Sequence, residues 1–315
     1  MRYPRLKPAG RDVFYHVYNR VAGDPGARPF GDMEKEHFVG LMRRLASLYL
    51  VEVLGFTVMS NHFHIILFAP EQAPSEELAC ARYGAYYEGK RTLLPGTTAC
   101  RRTAGQLRDI SWFMHDLEHQ FSSWFNRTRP VRRRGALWAG RFKHTLLEEG
   151  VAVWDCWKYI EMNPVRAGLV ADPADYRFSS YGSWSGRGRH PYVDAVEARL
   201  MPRFKGLLHV QNQKDLYALL RQEFARLATG RQQQAVAEQA LAEAGKPLAF
   251  STVASRRMRY WTDGLVIGSK LFVTEIMTQA RGARHMAKRR LTVAAEETVA
   301  GLRLVSYRRL RETAT

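Results

Sequence analysis

Between Val51 and Phe68 the chain reads Val-Glu-Val-Leu-Gly-Phe-Thr-Val-Met-Ser-Asn-His-Phe-His-Ile-Ile-Leu-Phe, an apolar run with two histidines set as His62-Phe63-His64. Residues i and i+2 of a β-strand point to the same face, so both imidazoles project together from one side of a sheet and Phe63 from the other. Strand residues in such a run are expected to be buried, and burying two imidazoles without partners is costly. A divalent metal would supply the partner, and two co-directed imidazoles make half of its site.

Elements on either side support a sheet. Asp12 to Arg20 alternates Phe14, His16 and Tyr18 with Val13, Tyr15 and Val17, and reads as a first strand. The glycines and proline of Gly23 to Arg28 break it. A helix is predicted from about Asp32 to Leu50, with Phe38, Leu41, Leu45 and Leu48 near helical spacing. Gly55 marks a bend between two strands or a bulge within one. Residues 70–108 read as an insertion with one short helix near Ser75 to Tyr87. A second long helix follows from about Leu107 to Asn126, then a strand-like Leu137 to Leu147. A helix from about Val151 to Met162 is closed by Pro164. This order predicts an α+β domain, an antiparallel sheet with helices on one face. The division expected is a domain over 1–185, a linker over 186–202 that begins in the Ser/Gly/Arg-rich Gly182 to Arg189, and a mainly helical, basic segment over 203–315.

The formal net charge of +18 on 315 residues points to a polyanionic partner, nucleic acid first. No apolar run reaches the roughly 18 to 20 residues that span a bilayer. Met1 to Pro8 lacks the apolar core of a signal peptide. A cytosolic location is expected. Cys80, Cys100 and Cys156 are odd in number and widely spaced, which reads as free thiols rather than a disulfide framework or a cysteine zinc site. Between Arg127 and His144 there are seven Lys or Arg and no acidic residue, with Trp138 and Phe142 interleaved. Cations of this kind neutralise phosphates, and an aromatic face stacks on unpaired bases. Arg132, Arg133, Arg134, Arg141, Lys143 and Trp138 are therefore candidate nucleic-acid contacts, as are Arg20 and Arg166. Residues 251–315 hold 13 Lys or Arg against 5 Asp or Glu, which makes a second DNA contact conceivable there, with a packing extension as the alternative.

Tyr159 and Asn163 lie four residues apart on the predicted helix and so share a face. A phenol can attack a phosphodiester, and an amide oxygen is an acceptable hard ligand for Mg²⁺ or Mn²⁺. With His-Phe-His, four motifs stand in order: Tyr15-His-Val-Tyr-Asn-Arg20, Met59-Ser-Asn-His-Phe-His64, Leu137-Trp-Ala-Gly-Arg-Phe-Lys143 and Tyr159-Ile-Glu-Met-Asn-Pro-Val-Arg-Ala-Gly-Leu-Val170. Across residues 10–185 they resemble the single-tyrosine HUH transposases, more narrowly the REP-associated tyrosine transposase branch. The resemblance implies a ferredoxin-like or RRM-like domain with His62 and His64 on a central strand, Asn163 as third ligand of Mg²⁺ or Mn²⁺ and Tyr159 as nucleophile. It also implies a 5′-phosphotyrosine intermediate on hairpin-forming single-stranded DNA, strand transfer, and a bacterial, nucleoid-associated setting. Many relatives carry a tyrosine where this chain has Gln120-Phe121-Ser122. Tyr159 is preferred because it stands one helical turn from a ligand-capable side chain. Whether the chain acts as a monomer or a homodimer is open.

Two rivals come from the same residues. His115-Asp-Leu-Glu-His119 matches the His-x-x-Glu-His pattern of a zinc metallopeptidase. A basic, RRM-like sheet also fits a catalytically silent, domesticated nucleic-acid binder.

Overall fold

The computed structural model describes residues 5–24, 26–129, 135–243, 261–262, 264–282, 291–295 and 303–308, with the backbone alone for 230–243, 292–295 and 308. It is a mixed α+β structure that divides into two compact units, one of Ala9–Lys143 and one of Met1–Pro8 with His144–Thr315. That division does not coincide with the boundary expected near residue 185. Among the described residues no helix is long and apolar enough to cross a membrane.

The first unit contains β1 (Val13–Arg20), α1 (Asp32–Leu48), β2 (Glu52–Val58), β3 (His62–Ala69), α2 (Glu76–Tyr86), α3 (Thr98–Leu107) and α4 (Ile110–Arg127). Its strands run antiparallel in the order β2–β3–β1, so β3 is the middle one. The ladder slips between Val53 and Gly55, which settles the Gly55 alternatives in favour of a bulge within one strand. Alternation sorts the side chains. Phe63, Ile65 and Leu67 face the helices with Val17 and Asn19, whereas His62, His64 and Ile66 share the opposite face with His16, Tyr18 and Arg20.

The helix-side face packs on aromatics. Phe63 meets Phe38 of α1 with ring centroids 4.9 Å apart and Trp138 edge-on at 5.3 Å. Phe121 of α4 closes the cluster on Phe38 at 5.1 Å. Edge-to-face geometry of this sort adds roughly 0.5–1.5 kcal/mol per pair beyond the area removed from water. Asn19 enters this layer as a polar group and is satisfied there: its Nδ2 donates to Glu118 Oε1 at 2.8 Å and to the Gly140 carbonyl at 3.0 Å.

The insertion is a helical hairpin rather than a single helix. Ser75 caps α2 by accepting from the Leu78 amide, and Thr97 caps α3 by accepting from the Cys100 amide. α3 was missed because its buried face consists of Cys100, Ala104 and Leu107, two of them small, between arginines.

The second unit takes up β4 (Lys143–Leu147) from His144 onward and continues through α5 (Val151–Glu161), α6 (Asn163–Arg166), α7 (Ser180–Arg187), α8 (Val193–Arg199), α9 (Met201–Leu208) and α10 (Gln213–Glu243). Then come β5 (Gly264–Gly268), a helix over Lys270–Arg281, β6 (Thr292–Ala295) and β7 (Leu304–Arg308). β4 pairs in parallel with β5, and β5, β7 and β6 follow antiparallel. The segment expected to be mainly helical thus contributes three strands. Ser269 caps the helix over Lys270–Arg281, its hydroxyl accepting from the Phe272 amide. Gly182 to Arg189 is no linker over most of its length: α7 runs to Arg187, and a Cβ on Gly182 would lie 2.1 Å from the Tyr176 carbonyl oxygen, so the backbones meet where only glycine fits.

Trp154, Trp157, Tyr181, Phe204 and Phe224 form the core of this unit around one buried carboxyl, Glu161. Its Oε1 accepts from the Trp157 indole at 3.2 Å, the Tyr181 amide at 3.1 Å and the Ser180 hydroxyl, while Oε2 has no partner. Burial raises its pKa to about 7 against the pull of those hydrogen bonds. The folded state therefore holds a proton that the unfolded chain releases above its ordinary carboxyl range, and stability falls as pH rises from about 4.5 to about 7. Glu161→Gln should flatten that slope, removing a pH-dependent loss of up to about 3 kcal/mol in urea denaturation between pH 5 and pH 8; an unchanged slope would show that the carboxyl titrates normally.

Candidate functional site

The turn Met59–Asn61 delivers β3 with its histidines. The Met59 amide donates to the His62 carbonyl at 2.8 Å, the Phe30 amide to Ser60 at 2.9 Å and the Val21 amide to Asn61 at 2.8 Å, so the turn is tied on two sides. His62 stands half-buried beside Arg20, and His64 is 3% exposed beside Tyr18 on β1 and Thr57 on β2. Their ring centroids are 5.3 Å apart and nearly perpendicular.

Each imidazole is fixed through Nδ1. His62 Nδ1 lies 2.7 Å from Asn61 Oδ1, an oxygen that can only accept, so Nδ1 carries the proton and the neutral ring holds its lone pair on Nε2. His64 Nδ1 lies 2.9 Å from Nε2 of His16, which is itself fully buried. The two rings stack with centroids 5.0 Å apart and 23° between planes, and Tyr18 stacks on His16 at 5.7 Å. If His16 accepts here, His64 also presents Nε2. Metal-binding histidines characteristically use their other ring nitrogen in this way. The donor chemistry and the common face of the two rings fit a divalent cation. Sequence reading placed His16 on the strand but missed its role, whose signal was the i, i+2 relation to Tyr18 and Arg20.

In the second unit, α5 carries Tyr159, and Asn163 opens α6 directly behind it. Asn163 Nδ2 donates to the carbonyls of Tyr159 at 3.2 Å and Ile160 at 3.1 Å, closing the end of α5. With the amide nitrogen turned into the helix end, Oδ1 faces away from those carbonyls. Arg166 Nη2 donates to the Tyr159 carbonyl at 2.7 Å, and its guanidinium lies 4.4 Å over the Tyr159 ring. Trp261 stacks on the same tyrosine with centroids 5.8 Å apart. Both Tyr159 and Asn163 are half-buried. His62 and His64 thus belong to one unit, and Tyr159, Asn163 and Arg166 to the other.

The basic candidates separate. Arg20, Arg141 and Lys143 are exposed, and the Lys143 ammonium sits 5.5 Å over the Tyr18 ring. Arg132, Arg133 and Arg134 lie outside the described residues, as does much of the basic stretch 251–315. Trp138 is a correction. It is 9% exposed, wedged among Phe30, Phe38, Phe63 and Phe121 with its indole donating to the Glu118 carbonyl at 3.2 Å, so its ring is a core residue and not a base-stacking surface. Phe121 is fully buried in the same cluster.

The peptidase pattern does not assemble. His115 and His119 stack in parallel, 5.7 Å apart, on the exposed face of α4, while the intervening Glu118 accepts from Asn19. Among the described residues no group of three or more His, Cys, Asp or Glu side chains is gathered to hold a metal.

No family model matches the chain, and no curated protein matches it. Among solved structures it is similar to a REP-associated tyrosine transposase bound to a REP hairpin, at 18% identity over 61% of this chain and 90% of that one, with a TM-score of 0.39.

The hydrogen bond to Asn61 makes a direct prediction. Long-range ¹H–¹⁵N spectra of the imidazoles at neutral pH should show His62 as the Nδ1–H tautomer, and Asn61→Ala should shift it toward Nε2–H; an Nε2–H ring in the unaltered protein would contradict the assignment.

Proposed function

We propose that this chain is a metal-dependent tyrosine nuclease and strand transferase acting on hairpin-forming single-stranded DNA, built on a ferredoxin-like frame. The observation that carries the reading is the pair of imidazoles on one face of β3, each held through Nδ1 by a neighbouring side chain. His62 and His64, with Oδ1 of Asn163, are the proposed ligands of Mg²⁺ or Mn²⁺, and the bound ion would polarise and align the scissile phosphate. Three neutral donors leave both charge and coordination positions to be satisfied by phosphate oxygens, which suits a site that must bind its substrate through the cation.

The protein's own groups supply the rest. Tyr159 Oη attacks phosphorus, the bond to the 3′ oxygen breaks, and the phenolic proton ends on that oxygen as a free 3′-hydroxyl. The 5′ phosphate stays on Tyr159. The product is still a phosphodiester, so a second 3′-hydroxyl displaces the tyrosine and reseals or transfers the strand without ATP. Arg166, already stacked on the Tyr159 ring, sets positive charge beside the attacking group. Arg20, Arg141 and Lys143 are the proposed phosphate contacts, with Arg132, Arg133 and Arg134 assigned the same role from sequence alone.

Denaturing gels of the protein with hairpin-bearing single-stranded oligonucleotides and Mn²⁺ should show a covalent adduct that is absent in Tyr159→Phe and in His62→Ala. An adduct that persists in Tyr159→Phe would contradict the nucleophile. Tight binding with no adduct on any hairpin would make the chain a nucleic-acid binder without nuclease chemistry.

A further inference from the structure

The helical hairpin α2–α3 brings together two of the three cysteines. Cys80 Sγ and Cys100 Sγ lie 3.2 Å apart as free thiols, though 20 residues separate them in sequence. The pair is held there by the helix starts. Glu76, at the first turn of α2, accepts from the Gly96 amide with its carboxylate and pairs with Arg101 of α3 at 3.6 Å, and its carbonyl accepts from the Cys100 thiol at 3.6 Å. Thr97 fixes the Cys100 amide at 3.1 Å. Neither thiol belongs to the groups assigned to nuclease chemistry, and no histidine joins them in the contacts just described, which leaves a dithiol rather than a metal site.

We propose that Cys80 and Cys100 are a reversible disulfide site, oxidised by low-molecular-weight disulfides of the glutathione class. The order of events follows from exposure. Cys80 is half-exposed, whereas Cys100 is buried, and burial, the neighbouring Cys80 thiol and the Glu76 carboxylate push its thiol up to about 11. Cys80 thiolate attacks one sulfur of the small disulfide, giving a mixed disulfide and releasing one small thiol. Cys100, losing its proton, then attacks the Cys80 sulfur, closing the Cys80–Cys100 bond and releasing the second small thiol. Two protein thiols are oxidised and one external disulfide is reduced to two thiols, with the two protein protons carried off on the leaving groups. The closed loop spans the exposed segment after α2, including Lys90 and Arg91, and pins it to α3. This inference is independent of the nuclease reading and its test involves no DNA.

The test is to treat the full-length protein with oxidised glutathione, alkylate under native and then denaturing conditions, and measure intact and peptide masses. The expected product is lighter by two hydrogen atoms, carries one alkyl group on Cys156 after denaturation, and yields a Cys80–Cys100 linked peptide that dithiothreitol separates. Cys100→Ser, lacking the resolving thiol, should instead keep glutathione on Cys80. Unmodified protein with three alkylatable cysteines, or wild-type protein that accumulates glutathione on Cys80 without closing the ring, would overturn the proposal.

Discussion

The hydrogen bond between His16 and His64 is the contact on which the candidate site depends. Two imidazoles buried to 0% and 3% exposure on one sheet face are withdrawn from bulk solvent, and leaving their ring nitrogens unpaired there would be costly. Their mutual bond answers that cost for one nitrogen of each ring and, when His16 accepts, sets which nitrogen of His64 is presented. The arrangement requires β1 and β3 to pair in one register. A slip by a single residue would turn His64 toward the helices and Phe63 out of the aromatic cluster. The packing of Phe63 against Phe38 and Trp138 therefore fixes the chemistry of the opposite face.

The second unit achieves order by different means. Asn163 ends α5 by donating to two of its carbonyls, Arg166 stacks on Tyr159 from the next turn, and Trp261 covers the same ring. A helix terminus, which must satisfy its last carbonyls in any case, thus places a phenol, an amide oxygen and a guanidinium within one short stretch of chain. The buried Glu161 between Tyr159 and Asn163 in sequence faces the core and serves packing, with its proton held by burial.

Local patterns were legible in the sequence, and distant pairings were not. β1, α1 and the start of α2 fell within a few residues of their expected ends because alternation, helical spacing and a serine cap are local signals. The co-facial orientation of His62 and His64 follows from strand geometry alone. The His16 partnership does not, because it links residues 48 apart through strand register. Trp138, flanked by cations, looked like a stacking surface; its burial comes from Phe30, Phe38, Phe63 and Phe121, contributed by four separate segments. Strands β5 to β7 are four or five residues each, too short for a periodicity that would distinguish them from helix, and β5 pairs with β4 and β7 far along the chain. Cys80 and Cys100 came together for the same reason, through the packing of two helices of which one was unforeseen.

Pulsed electron paramagnetic resonance of Mn²⁺ added to the intact protein tests the central claim most directly. Nitrogen couplings from two directly bound imidazoles, reduced to one in His62→Ala, are the result this account predicts. A spectrum of fully hydrated Mn²⁺ with no nitrogen coupling would contradict it.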